Sequence, residues 1–211
     1  MQDDGHLGNT EGNIWLEGYI PSLGSGVTVA TGYDLGHGPD ISSCLNNTDL
    51  VKCLLPYRQL KSVAQLEGAG FTVKEIRNSK GKVIRRELDP KAPILTLEEA
   101  RKIDCCLKKK AYEDTAACTE KMVCGKVVVA SLQHYCGATG LLGGGSKCSA
   151  GGEDLVGDVL KTKTGTDADL LAALEKLYEA HPVSTDEKPD GRKERMKKEM
   201  EYMKTCMNKV P

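Results

Sequence analysis

Residues 9–36 read Asn9-Thr-Glu-Gly-Asn-Ile-Trp-Leu-Glu-Gly-Tyr-Ile-Pro-Ser-Leu-Gly-Ser-Gly-Val-Thr-Val-Ala-Thr-Gly-Tyr-Asp-Leu-Gly36. The stretch joins a carboxylate beside a flexible glycine (Glu11, Gly12), the only tryptophan of the chain (Trp15), many glycines and a second carboxylate, Asp34. Ile14, Trp15, Leu16 and Tyr19 supply an apolar face that predicts a short helix or turn closed around Glu11, broken by Pro21 and Gly24. Val27 and Val29, alternating with Thr28 and Ala30, predict a short strand after Gly26 that Gly32 interrupts.

Outward from this stretch, residues 1–8 read as a loose polar lead-in. Cys44 to Leu66 reads as helical, with Leu50, Leu54, Tyr57 and Leu60 at spacings of three and four, and Pro56 kinks or splits it. Phe71–Ile76 and Lys82–Leu88 flank Asn78-Ser-Lys-Gly81 and predict a hairpin. Thr96-Leu-Glu-Glu99 is a capping box, so a helix is expected from about Leu97 to Lys110. Lys121–Cys136, with Val123, Val127, Ala130, Leu132 and Tyr135 around its circumference, reads as a central buried helix.

The run Gly143-Gly-Gly-Ser146 with Gly151-Gly152 is a flexible loop, because a phosphate cradle needs a lysine-serine ending and a leading strand. Asp167–His181 is an amphipathic helix entered through Thr166. The last helix spans about Gly191 to Asn208, with Met196, Met200, Met203 and Met207 on one face, a core-packing stripe in preference to a soft-metal site. The expected class is α+β, mainly α, with a small N-terminal β element beside a helical lobe. In domain terms, residues 1–8 lead into a single domain at 9–211, its lobes at 9–95 and 96–211.

A chain of 211 residues is long enough for one generous domain or two lobes. Its 29 basic and 30 acidic residues leave a net charge of -1, so nothing global favours nucleic acid or an anionic membrane. No apolar run approaches membrane-spanning length. The nine cysteines lack any zinc spacing, Cys105 and Cys106 being adjacent, and read as the disulfide framework of a secreted protein with one thiol left over. The sequon Asn46-Asn47-Thr48 agrees with secretion. Met1-Gln2-Asp3-Asp4 is acidic and polar, unlike a signal peptide, so a mature form with an added starting methionine is expected. Histidines 6, 37, 134 and 181 show no ligand spacing, and no metal or cofactor is expected; His37 and His134, near motif residues, read as structural.

Two carboxylates on opposite walls of a cleft can hydrolyse a glycosidic bond, one protonating the leaving oxygen and one activating water. Glu11 and Asp34 are the candidates, with Thr28 placed to help hold the water. Inversion calls for carboxyls about 6.5–9.5 Å apart. Six residues of straight strand would separate Thr28 from Asp34 by roughly 20 Å, so the chain must bend or reverse near Gly32 for both to address one water. The competing reading is that Asp34 caps a turn and Thr28 is a surface strand residue.

Thr10-Glu-Gly12, Gly18-Tyr-Ile-Pro21 and Gly26-Val-Thr-Val-Ala-Thr-Gly-Tyr-Asp-Leu-Gly36 resemble the active-site region of phage-type lysozymes, most closely the pesticin-like branch. Gln133-His-Tyr-Cys-Gly-Ala-Thr-Gly140 and Gly191-Arg-Lys-Glu194 are similar to the helix end lining the lysozyme cleft and to the opening of the family's last helix. The resemblance implies a lysozyme-like fold with Glu11 as catalytic acid and Thr28 and Asp34 handling the attacking water. It further implies a secreted, monomeric muramidase, antibacterial or digestive, acting on peptidoglycan with inversion and without a cofactor.

The sequence also departs from the family. Ordinary phage lysozymes carry the second carboxylate nine residues after the glutamate, a position held here by Ile20, and Glu17 is a poor substitute. The cysteines are foreign to phage and bacterial members and imply an extracellular animal relative. As acid, Glu11 needs an apolar setting that disfavours its charge, which Trp15 and Ile14 would supply. Tyr19, Tyr135 and Arg192 are candidate cleft walls, tyrosines for sugar faces and arginine for peptide carboxylates, against a plain packing role. The alternatives are a non-catalytic sugar-binding module, a chitin-oligomer hydrolase, or a lytic transglycosylase using Glu11 alone.

Overall fold

Alternate residues of Ile14–Tyr19 are buried, which makes the segment a strand and corrects the helix or turn expected there. In the computed structural model, which describes residues 10–11, 14–136, 155–180 and 191–210, this strand belongs to a four-stranded antiparallel sheet. Its members are β1 (Thr10–Glu11), β2 (Ile14–Tyr19), β3 (Thr28–Ala30) and β4 (Tyr33–Asp34), in spatial order. Gly18 explains why the alternation was hard to read. A Cβ there would lie 2.5 Å from the Ala92 carbonyl oxygen and 2.6 Å from Pro93, so the inward position that would ordinarily carry an apolar side chain is taken by crossing backbone. The Gly18 amide donates to the Pro93 carbonyl at 2.9 Å.

The chain divides into two compact units, Met1–Leu107 and Lys108–Pro211. In the first, α1 (Ser42–Leu45) and α2 (Thr48–Leu54) precede a single 3-10 turn, Leu55–Tyr57, in which Pro56 ends the α-helical ladder as its missing amide requires. Asn47 caps α2, its side-chain oxygen accepting from the amides of Asp49 and Leu50, while Asn46 of the sequon is exposed. After α3 (Val63–Gly68) the expected hairpin is present as β5 (Thr72–Arg77) and β6 (Val83–Asp89). The capping box at Thr96 forms in both directions. The Glu99 amide donates to the Thr96 hydroxyl at 3.2 Å and the Thr96 amide to the Glu99 carboxylate at 2.8 Å, and α4 then runs through Leu97–Thr115, past the expected end at Lys110. Ile20, Val27, Val29, Leu35, Leu50, Leu66 and Ile103 make up much of this unit's core.

The second unit contains α5 (Gly125–Cys136), α6 (Leu155–Lys161), α7 (Asp167–Ala180) and α8 (Gly191–Met207) among the described residues. Asp167 closes the start of α5 by accepting from the amides of Val123, Cys124 and Gly125. The methionine stripe is core: Met196, Met200 and Met203 are buried among Val128, Leu132, Leu170 and Leu174. Val123 and Val127 are exposed, contrary to the central buried helix expected from Lys121, because the helix starts only at Gly125 and Val127 lies on its outer face. The lead-in 1–8 and the glycine run 143–152 lie outside the described residues.

Among the described residues two disulfides form, Cys44–Cys106 in the first unit and Cys124–Cys206 in the second, with sequence separations of 62 and 82, while Cys53, Cys105 and Cys118 are unbridged, which corrects the single leftover thiol expected. Closing loops of that length removes unfolded-state entropy worth about 4 kcal/mol each in the chain-entropy picture. The described fold is α+β, about half helical with a small antiparallel sheet. No helix among the described residues is long and apolar enough to cross a membrane.

Candidate active site

The reversal required between Thr28 and Asp34 is present. The Gly32 amide donates to the Val29 carbonyl, Gly32 takes a φ of 109°, and β3 pairs with β4 so that Thr28 stands directly opposite Asp34. A positive φ of this kind is where glycine costs least. The turn is fixed from outside by Asp104 of α4, whose carboxylate accepts from the Thr31 amide at 3.2 Å and the Thr31 hydroxyl at 2.7 Å.

Asp34 is held by its own turn. One oxygen, Oδ1, accepts from the amides of Gly36 (2.9 Å) and His37 (3.2 Å). The other, Oδ2, accepts from the Gly26 amide (3.1 Å) and lies 3.1 Å from Nδ1 of His37. Gly26 has to be glycine, because a Cβ would come within 2.6 Å of both Asp34 and the Leu60 carbonyl. Across the strand pair, Thr28 is only 3% exposed, and its hydroxyl has no hydrogen-bond partner among the described residues. This corrects the reading of Thr28 as a surface residue, since all three residues of β3 are buried. A buried hydroxyl without a partner is costly, on the order of 1–3 kcal/mol.

Tyr19 pairs with Thr28 on the other side of β3 and stacks on Trp15, ring centroids 4.3 Å apart. Burial, and then the charge of Asp34, push its phenol above the usual range. Glu17, the one carboxylate of β2, is engaged by Lys91, whose Nζ lies 2.8 Å from its carboxylate; that hydrogen bond raises the lysine above its ordinary value. Tyr19, Thr28 and Asp34 therefore form one row across three strands.

Glu11 stands at the other edge of the sheet, its backbone in register with Ile14. An irregularity in β2 shortens the way between the two acids: four residues from Trp15 to Tyr19 face only two of β3, from Ala30 to Thr28. In a flat sheet this leaves the Glu11 and Asp34 backbones roughly 17 Å apart, against roughly 22 Å without it. The side chains of Glu11, Tyr135 and Arg192 lie outside the described residues. Backbone positions put Tyr135 on α5 and Arg192 on α8. No protein-family model matches this chain, and no curated protein matches it. No cluster of three or more His, Cys, Asp or Glu side chains suited to a metal occurs among the described residues.

Sequence reasoning passed over His37 as a member of the site and took the Gly26 and Gly36 amides only as motif glycines. The signal available for His37 was its place three residues after Asp34, the reach of a side chain folded back across a turn.

Proposed function

We propose that this protein is a secreted muramidase of lysozyme-like fold that hydrolyses the β-1,4 bond between N-acetylmuramic acid and N-acetylglucosamine in peptidoglycan, with inversion. The observation that carries the reading is the pairing of Thr28 and Asp34: a buried hydroxyl with an unfilled hydrogen bond directly opposite a carboxylate held by glycine amides. That arrangement suits a polar pair that orders the attacking water beside a sugar. Glu11 is the acid that protonates the leaving oxygen, Asp34 with Thr28 positions the water, and Tyr19 and Trp15 offer an aromatic wall for a sugar face. The two disulfides favour an oxidising compartment and so support secretion.

The test is digestion of purified peptidoglycan by the parent protein and by Glu11→Gln and Asp34→Asn, with fragments analysed by mass and by anomeric form. The expected result is α-anomeric reducing ends from the parent and loss of release in both variants. No release by the parent refutes the muramidase reading, and anhydro ends would replace it with a transglycosylase.

A further inference from the structure

An ionised carboxylate offers about four acceptor positions, and at Asp34 each is filled: Gly36 and His37 amides on Oδ1, the Gly26 amide and the His37 ring on Oδ2. A carboxylate so occupied can position its neighbours but has no lone pair left for a proton from water. Three of its four donors are backbone amides set by the turn, and the fourth is a side chain.

A carboxylate only accepts, so the proton between the two groups belongs to Nδ1 of His37. In the neutral ring Nε2 is then the acceptor. The side chain that carries it is 45% exposed, so the ring is not closed off from solvent. We propose that His37, oriented by Asp34 through Nδ1, is the general base whose Nε2 takes the proton of the attacking water. The proposal rests on the muramidase reading and names the proton acceptor within it.

The step balances without any co-reactant. As the water oxygen bonds to the anomeric carbon, the bond from that carbon to the leaving oxygen breaks. The water proton passes to Nε2 while the Glu11 carboxyl proton passes to the leaving oxygen. The imidazolium then gives its proton to solvent and Glu11 regains one.

The charged and titratable groups around this turn are few. Asp34 and Asp40 share its segment, and Tyr19 and Tyr33 face it from β2 and β4. Arg58 is committed to the Tyr33 hydroxyl and the Pro39 carbonyl, and the backbone of Lys61 abuts Gly36. Asp34 is thus the charge that bears directly on the ring.

The experiment measures kcat and KM on purified peptidoglycan for the parent, His37→Ala and His37→Gln across the range in which imidazole titrates, about pH 5 to 8. In the parent, kcat should fall on the acid side as the imidazole protonates. Both variants should lose about 10²- to 10⁴-fold in kcat with KM little changed, and added imidazole should restore part of the rate in His37→Ala. A parental rate in His37→Ala overturns the proposal. So does a loss that imidazole does not restore and that leaves the acid limb of the profile unchanged, since Asp34 would then be the base. Nitrogen-15 NMR of His37 tests the geometry independently of turnover: a neutral ring protonated on Nδ1 in the parent, and loss of that preference in Asp34→Ala, is expected, and a ring protonated on Nε2 overturns it. An inactive parent removes the muramidase reading and this base with it, whereas an active parent with an unaffected His37→Ala removes only the base.

Discussion

Thr28→Val should make the protein more stable and less active. The substitution exchanges a hydroxyl for a methyl of similar size at the start of β3, between Val27 and Val29, neither of which has any solvent exposure. The Thr28 hydroxyl has no partner among the described residues, so the folded state bears its desolvation without a compensating hydrogen bond. That cost is on the order of 1–3 kcal/mol. Valine also suits a buried strand at least as well as threonine, so a gain of about 1–2 kcal/mol is expected. Trp15, the only tryptophan, sits on β2 opposite Ala30, two residues from Thr28, so its fluorescence reports on this sheet. In guanidinium chloride, at a slope of about 3–4 kcal/mol/M, the midpoint should rise by about 0.3–0.6 M with the slope unchanged. Peptidoglycan release should fall in parallel. A midpoint lowered by as much at the same slope would refute the reasoning, because the hydroxyl would then be hydrogen-bonded in the native protein.

Two further perturbations test the support of the site. Gly26→Ala puts a Cβ 2.6 Å from the Asp34 carboxylate and from the Leu60 carbonyl, so backbone must move. We expect a loss of about 1–3 kcal/mol in the same unfolding experiment and a drop in hydrolysis of about 100-fold from the displaced carboxylate. Tyr33 tests the alkaline side: burial chiefly, and nearby Asp40 and Asp34 after it, push its phenol up to about 12 against the opposing influence of Arg58. The folded state therefore holds this proton more tightly than the unfolded one, whose value is 10.0. The resulting stability is complete below pH 10.0 and is lost as the pH climbs toward about 12. Denaturant midpoints across that interval should fall in the parent and fall less in Tyr33→Phe, and an equal fall in both would contradict the assignment.

Much of the fold was legible because its signals are local. The capping box at Thr96/Glu99, the helix entry at Thr166, the hairpin around Asn78–Gly81 and the methionine stripe depend on residues three or four apart, and each formed. The strand Ile14–Tyr19 was illegible for a nonlocal reason. Gly18 stands where the segment at Ala92 and Pro93 crosses, which removes an apolar residue from the alternation and leaves a spacing that imitates a helix. At the site, the reversal at Gly32 followed from the distance between Thr28 and Asp34, because one water cannot span a straight strand. The burial of Thr28 did not follow, since alternation describes a sheet with one covered face and β3 is covered on both. His37 was missed because a ring folding back on a carboxylate three residues earlier leaves no periodic trace.

The hook from Asp104 to the turn at Thr31 spans 73 residues of chain. While the protein is being made, Thr31 is synthesised long before its anchor: at ordinary elongation rates the wait is roughly 4 to 15 s. Cys44 likewise waits for Cys106, two residues beyond Asp104. The Thr28–Asp34 hairpin can pair as soon as it emerges, but its turn is pinned only when α4 arrives, so both fastenings of this unit are added at its end by one short stretch of helix.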